Sequence, residues 1–495
     1  MTTENRGGTF GRRLPLILAA GHWLATFWLE KQILTVSPAQ NLFNYVLCKL
    51  ALLAALAWFW SFLFSAVSGR NARARRTLLY ALPYLAVLVA WLFAFHSFTL
   101  VSDELNLFTR AQRLDSFAYW FNYFSGYYWI MSLMLVPTMM GPVYVKLLLQ
   151  ALVCGYCLAR QAERSGKWKA MVMYLLFVLP FVLTQGISAH RLPTYGMLYL
   201  FTAAKLYYDW RAGEKLRGAG FALLALSFAV LALWRSEGIY LLPLGLCLIF
   251  AAYRIPLEKK RIVRAAVAYA LIFALVALPQ IKAYYFEDNP PLSLRTKPLC
   301  GYVLCNMFRN GLTEEMLGED AEAIDAYLPL KTIRQSNEET GDGNYESAEI
   351  MNLVRADVSY AQQEEFVSAC KRVILRHPFV FLRAQWGAFR YLCGKYPVSL
   401  SVGPVRAAYN LSCQVWLPAL LLLIFGVAAL VRKRWLPLGL CLAGLCNFGI
   451  VFLLMPAAYA KYFYATYLLG YFLLLCGGID WIFGRKGRAC AKLPE

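Results

Sequence analysis

The chain of 495 residues is 60% hydrophobic and only 16% charged. That is more apolar surface than a soluble core of this size can hide, so a soluble globular protein is excluded and a bilayer must take the excess. The formal charge of +21 is spread over short basic clusters between apolar runs, which reads as a topology signal and not as a nucleic-acid surface.

Arg6, Arg12 and Arg13 precede the first apolar run, Leu14 to Trp28, which lacks a small-residue cleavage site and reads as a retained signal anchor. A second run, about 42 to 67, ends at Arg70, Arg73, Arg75 and Arg76, and a third covers about 78 to 100. Basic clusters then recur after alternate runs, around Arg160, Arg211, Lys259, Arg432 and Arg485. Each marks a cytoplasmic turn. With further spans near 142–159, 170–185, 194–209, 218–233, 238–252, 265–283, 412–431, 435–455 and 463–483, the pattern predicts an all-α polytopic membrane protein of about twelve crossings. Both termini are expected on the cytoplasmic side of a cell membrane.

Three regions follow: an N-terminal membrane domain over 1–283 with about nine spans, a loop domain over 284–411, and a C-terminal membrane segment over 412–495 with about three spans. The outer loop at 101–141 begins polar and turns aromatic, from Phe117 to Trp129, and is expected to lie in the membrane surface. Its stretch 127–140 is too short to cross and is expected as an interfacial or re-entrant helix. The loop domain holds more than half of the acidic residues and reads as a small extracytoplasmic excursion, with a helix expected over Glu346 to Arg376.

Most of the thirteen cysteines lie inside apolar runs, and the one CxxC, Cys154 to Cys157, has no partner motif. They carry no zinc signature. Cys300 and Cys305 sit in the polar loop, where they could form a disulfide if that loop is extracytoplasmic or remain two thiols.

Charged residues are costly at bilayer depth, so their placement is informative. The helix interiors are nearly clean: Lys49 and Lys146 fall near outer ends, and His22 alone is close to mid-span, where it reads as hydrogen-bonded packing. Polar residues instead gather at four outer ends. These are Asp103 and Glu104, His190 and Arg191, Arg235 and Glu237 in Arg235-Ser236-Glu237-Gly238, and Lys461 in Lys461-Tyr462-Phe463. Carboxylates and cations meeting at one interface could bind a lipid phosphate and activate a hydroxyl, since guanidinium suits phosphate and a carboxylate can take a proton. The plainer readings are a solvated helix end for the acidic pair, an ion pair closing a hairpin for Arg235 and Glu237, and snorkelling for Lys461.

An acidic pair opening the first outer loop, an R-x-E-G hairpin before a proline-containing helix, and a basic-aromatic step at the last span resemble the GT-C-fold membrane glycosyltransferases. The phrase Arg376-His377-Pro378-Phe379 is similar to what bacterial members carry. The resemblance implies transfer of a sugar from a polyprenyl-phosphate-linked donor to a cell-envelope glycan or lipid acceptor on the extracytoplasmic face. It implies Asp103 as catalytic base with Glu104 as second choice, and Arg235, Arg191 and Lys461 on the lipid phosphate, with His190 and Glu237 beside them. The chain departs from the family in having two spans before the one that leads into the acidic loop, and lysine where relatives often place arginine. Asp103 and Glu104 could hold a divalent metal ion or act without one, so the sequence leaves a metal cofactor open. Two alternatives stand: a polysaccharide polymerase or ligase using a lipid-pyrophosphate donor, and a lipid-linked glycan flippase, for which neither mid-bilayer charge nor a repeated half is visible.

Overall fold

A computed structural model describes residues 6–95, 100, 103–115, 123–285, 297–340, 354–355, 358–396, 403–455 and 458–483. Among them every regular element is helical. In chain order these are α1 Arg6–Leu29, α2 Leu42–Val67, α3 Ala72–Phe95, α4 Asp103–Gln112, α5 Tyr123–Leu135 and α6 Gly141–Ser165. The short helices α7 Lys167–Ala170, α8 Tyr174–Phe177 and α9 Pro180–Ile187 follow, then α10 Arg191–Ala212, α11 Gly218–Trp234, α12 Leu241–Tyr253 and α13 Lys259–Tyr285. The loop region contributes α14 Lys297–Arg309, α15 Ala321–Tyr327, α16 Leu330–Thr340, α17 Tyr360–Arg376 and α18 Pro378–Gly394. The chain closes with α19 Pro404–Ser412, α20 Trp416–Val431, α21 Trp435–Leu454 and α22 Tyr464–Phe483.

Six of the described helices are long and apolar enough to cross a bilayer, and eight segments qualify if each of two bent pairs counts as one span. The bends fall between 167–177 and Pro180–Ile187, at 65°, and between Pro404–Ser412 and Trp416–Val431, at 55°. Pro180 at the start of its helix accounts for the first break, because proline cannot donate into the preceding turn. The other four expected crossings do fall on helices. Of these, α11 and α12 are apolar but only 17 and 13 residues long, whereas α10 carries Lys205, Asp209 and Arg211.

Three expectations shift. The third span begins at Ala72, ahead of the apolar run, because the Asn71 side chain accepts a hydrogen bond from Ala74 N at 3.1 Å and starts the helix within the arginine cluster. The helix expected from Glu346 begins at Tyr360, where Ser359 and Gln362 form a capping box; residues 341–353 lie outside the described ones. Nor does the aromatic stretch lie wholly at a surface. Along α5, Tyr127, Trp129, Ile130, Leu133 and Met134 are buried, Phe124 stacks on Trp234 at 6.1 Å, and the Tyr127 hydroxyl donates to Asn44 at 2.9 Å. Spanning about 20 Å, this helix cannot cross a 30 Å core but can fill the space between its neighbours. Residues 116–122, which include Phe117, Tyr119, Trp120 and Phe121, are not among those described.

Apolar residues segregate into three cores. One joins α1, α2, α4 and α5; the largest runs through α3, α6, α8 to α12 and α20 to α22; the third is built from α14 to α18. Close approach of α3 and α6 depends on Gly155, since a Cβ there would collide with the Thr77 carbonyl.

At one end of the largest core a charge network pins four helices. Arg160, 3% exposed, contacts Asp209 at 3.0 Å and Glu214 at 2.6 Å. Asp209, 2% exposed, also takes Lys205 at 2.7 Å and the Tyr253 hydroxyl, while Arg73 bridges Glu163 and Glu214 at 3.0 and 3.1 Å. Burial works against ionisation of Glu214, but Arg160 and Arg73 outweigh it and hold its carboxyl below the ordinary range. Arg160 was expected simply as part of a surface basic cluster.

Candidate functional site

The other end of the bundle gathers the polar residues. Its floor is the corner between α9 and α10. Ser188 and His190 leave helical geometry, with φ/ψ of −67°/137° and −57°/145°. The His190 amide donates to the Ser188 hydroxyl at 3.2 Å. A helix end leaves carbonyls without partners. Lys146, projecting from α6 and 2% exposed, fills that need by donating to the carbonyls of Ser188 and, at 3.4 Å, Gln185.

His190 is gripped on both ring nitrogens. Its Nδ1 meets the Glu104 carboxylate from α4, and its Nε2 lies 3.2 Å from Lys461 Nζ. An ammonium can only donate, so with Lys461 in that form Nε2 accepts and the ring proton sits on Nδ1, aimed at Glu104. The chain of bonds runs from Lys461 through His190 to Glu104. Glu104 is 4% exposed, and its charge also acts on Lys146. Lys461 rests 4.7 Å over the Tyr459 ring in the turn that leads into α22.

Arg235 and Glu237 form a second group beside the first. Arg235 stands at the end of α11 in extended geometry, and the Gly238 amide returns to its carbonyl at 2.9 Å. Gly238 packs so closely on the Leu231 carbonyl that a Cβ would not fit. Within this turn Arg235 forks onto Glu237, with Nε 3.0 Å from Oε2 and Nη2 on Oε1. The guanidinium also lies between two rings, 5.9 Å from the centre of Tyr195 and 5.7 Å from that of Tyr462. Tyr462 follows Lys461, and Tyr195 lies one turn into the helix that His190 introduces, so the two groups share a wall.

Of the seven residues expected from sequence, Glu104, His190 and Lys461 are in direct contact, and Arg235 with Glu237 adjoins them through the tyrosines. Asp103 is the first residue of α4, and its side chain lies outside the described structure. Arg191, half-buried, opens α10. Sequence reasoning missed Lys146, Tyr195 and Tyr462 as parts of this wall. An isolated lysine in an apolar run was the available signal for Lys146. Among the described residues no group of three or more histidines, cysteines or carboxylates could hold a metal ion.

A groove of about 690 Å³ opens beside the corner, bounded by Trp91, Phe95, Thr184, Val405, Arg406 and Tyr409. Thr184 lies one turn before Ser188, so the groove and the polar wall share α9. Its lining is mainly apolar, with one guanidinium. Such a shape suits a chain of hydrocarbon next to a charged head. No family model, curated protein or solved structure matches this chain.

Proposed function

We propose that this chain is a membrane glycosyltransferase that moves a sugar from a polyprenyl-phosphate-linked donor to a cell-envelope glycan or lipid acceptor on the extracytoplasmic face. The supporting observation is that Glu104, His190 and Lys461, from three segments far apart in sequence, meet at one end of the bundle beside Arg235 and an apolar groove. All twelve expected crossings are counted in this reading: α1 crosses at the edge of the bundle, α10 and α11 cross within it, α12 crosses together with the helical turn Ser236–Gly238 that precedes it, and α4 lies at the interface. Both termini are cytoplasmic, and the core of α14 to α18 is the outer excursion.

The chemistry is one displacement with inversion. An acceptor hydroxyl attacks the anomeric carbon, Asp103 takes its proton, and the bond to the phosphate oxygen breaks, leaving the polyprenyl phosphate. Lys461 and Arg235 face the charge that grows on that phosphate. The pair with Glu237 uses the Nε and Nη2 edge of Arg235, so Nη1 is not needed to hold it. Glu104 orients His190 and through it Lys461.

The experiment is donor-lipid use by Arg235 variants in liposomes. Arg235→Ala should reduce it by about two to three orders of magnitude, and Arg235→Lys should recover only part, because an ammonium keeps the charge but loses the planar fork. Unchanged donor use in both variants would leave Arg235 as a hairpin ion pair and remove it from the site. Turnover of a lipid-pyrophosphate donor, or lipid movement without sugar transfer, would favour the polymerase and flippase readings instead.

A further inference from the structure

The core of α14 to α18 contains three buried cysteines. Cys300 and Cys305 lie on α14 and Cys370 on α17, at 4%, 1% and 0% exposure. The pairing considered from sequence, Cys300 with Cys305, is ruled out by the helix that carries both. Five residues along a helix advance the chain by about 7.5 Å, and they point the two side chains well apart around the axis. A disulfide needs Cα atoms about 4.4–6.8 Å apart with converging Cβ vectors. Cys370 is better placed, because α14 packs on α17 within this core; all three are free thiols in this structure, and of the two on α14 it is Cys300 that bears more strongly on the Cys370 thiol.

We propose that Cys300 and Cys370 form a disulfide that ties α14 to α17 across the middle of the outer domain. This rests on the outward placement of that domain, where thiols are oxidised. The two thiols give up two protons and two electrons, and the electrons reduce the disulfide of an exchanging dithiol oxidant. The bond forms while the helices are still apart. In the closed core burial raises the Cys370 thiol well above its ordinary range and pushes Cys305 up to about 12, so the thiolate needed for exchange is suppressed. Once closed, the same burial shields the bond from reductants. It links positions 70 residues apart and so removes a large loop from the unfolded ensemble.

The test is peptide mapping of the full-length protein, purified from membranes after free thiols are blocked with N-ethylmaleimide and digested without reduction. The expected result is a linked peptide containing Cys300 and Cys370, two hydrogens lighter than the reduced pair, in the native chain and in Cys305→Ser. Reduction in mild denaturant should then speed protease cleavage within 297–376 by at least about tenfold. Alkylation of all three cysteines, or any link that uses Cys305, would overturn the proposal. A cysteine at the exposed position Lys331 separates this failure from failure of the orientation. Labelling there by an impermeant maleimide from outside, with all three thiols free, overturns the disulfide alone. No labelling removes the outward domain as well.

Discussion

Lys461, His190 and Glu104 form a wire in which each member fixes the next, and removing its ends should have different effects. In the proposed reaction Lys461 faces the leaving phosphate, so Lys461→Met should lower transfer by about two to three orders of magnitude. Glu104→Gln leaves an amide oxygen for His190 Nδ1 and should cost about tenfold, most of it recovered in Glu104→Asp if the carboxylate acts by orienting the ring. Rates from a fixed donor lipid, with protein level and lipid binding measured in parallel, check both. A larger loss in Glu104→Gln than in Lys461→Met would make Glu104 a proton acceptor instead. Each of these residues was legible in the sequence as a polar group at the end of an apolar run. Their contact was not: His190 and Lys461 are 271 residues apart, and no spacing rule connects positions that only helix packing brings together. Lys146 was hidden for another reason. A lysine near a helix end reads as snorkelling, and only the position of α9 shows that it caps carbonyls.

Helices were the most legible level, because a run of apolar residues long enough to cross a bilayer leaves little else for the backbone to do. Bends and burial were less visible. The aromatic run before α6 reads as a surface segment, yet the stacking of Phe124 on Trp234 and the bond from Tyr127 to Asn44 draw α5 inside. Arg160 behaves similarly. As part of a basic cluster it reads as solvated, but it is closed in by Asp209 and Glu214 at the junction of α6 and α10. Breaking a buried pair from one side leaves the other charge uncompensated. Asp209→Asn should therefore destabilise the protein by about 3 kcal/mol, seen as a lower midpoint in thermal unfolding followed by size-exclusion chromatography. Glu258→Gln, a change in the exposed pair with Arg261, should leave the midpoint within about a degree. Equal effects from the two would mean that the network is not a packing pin.

At the scale of the molecule, the charge network and the candidate site occupy opposite ends of the same helices. Arg73, Arg160 and Asp209 gather at one end, and Glu104, His190, Arg235 and Lys461 at the other. In the proposed orientation, which rests on the basic clusters, the first end is cytoplasmic. Single cysteines at Asn71 and Asn106, both exposed, in a background cleared of native thiols, should be shielded from and reactive to an external impermeant reagent, respectively. Labelling at position 71 would invert the orientation. Overall helical class and an apolar bundle could be read from composition and run length, whereas the cavity beside α9 depends on a bend that no run length encodes. The most direct measurement of the account is sugar transfer from a polyprenyl-phosphate-linked donor by the purified protein in liposomes, comparing the native chain with Asp103→Asn. Asparagine keeps the size and helix-capping ability of aspartate but cannot take a proton, so transfer should fall by about two to four orders of magnitude while donor binding and expression hold. No sugar transfer by the native chain would contradict the glycosyltransferase, and full activity in Asp103→Asn, and again in the double variant with Glu104→Gln, would remove the acidic pair as its base.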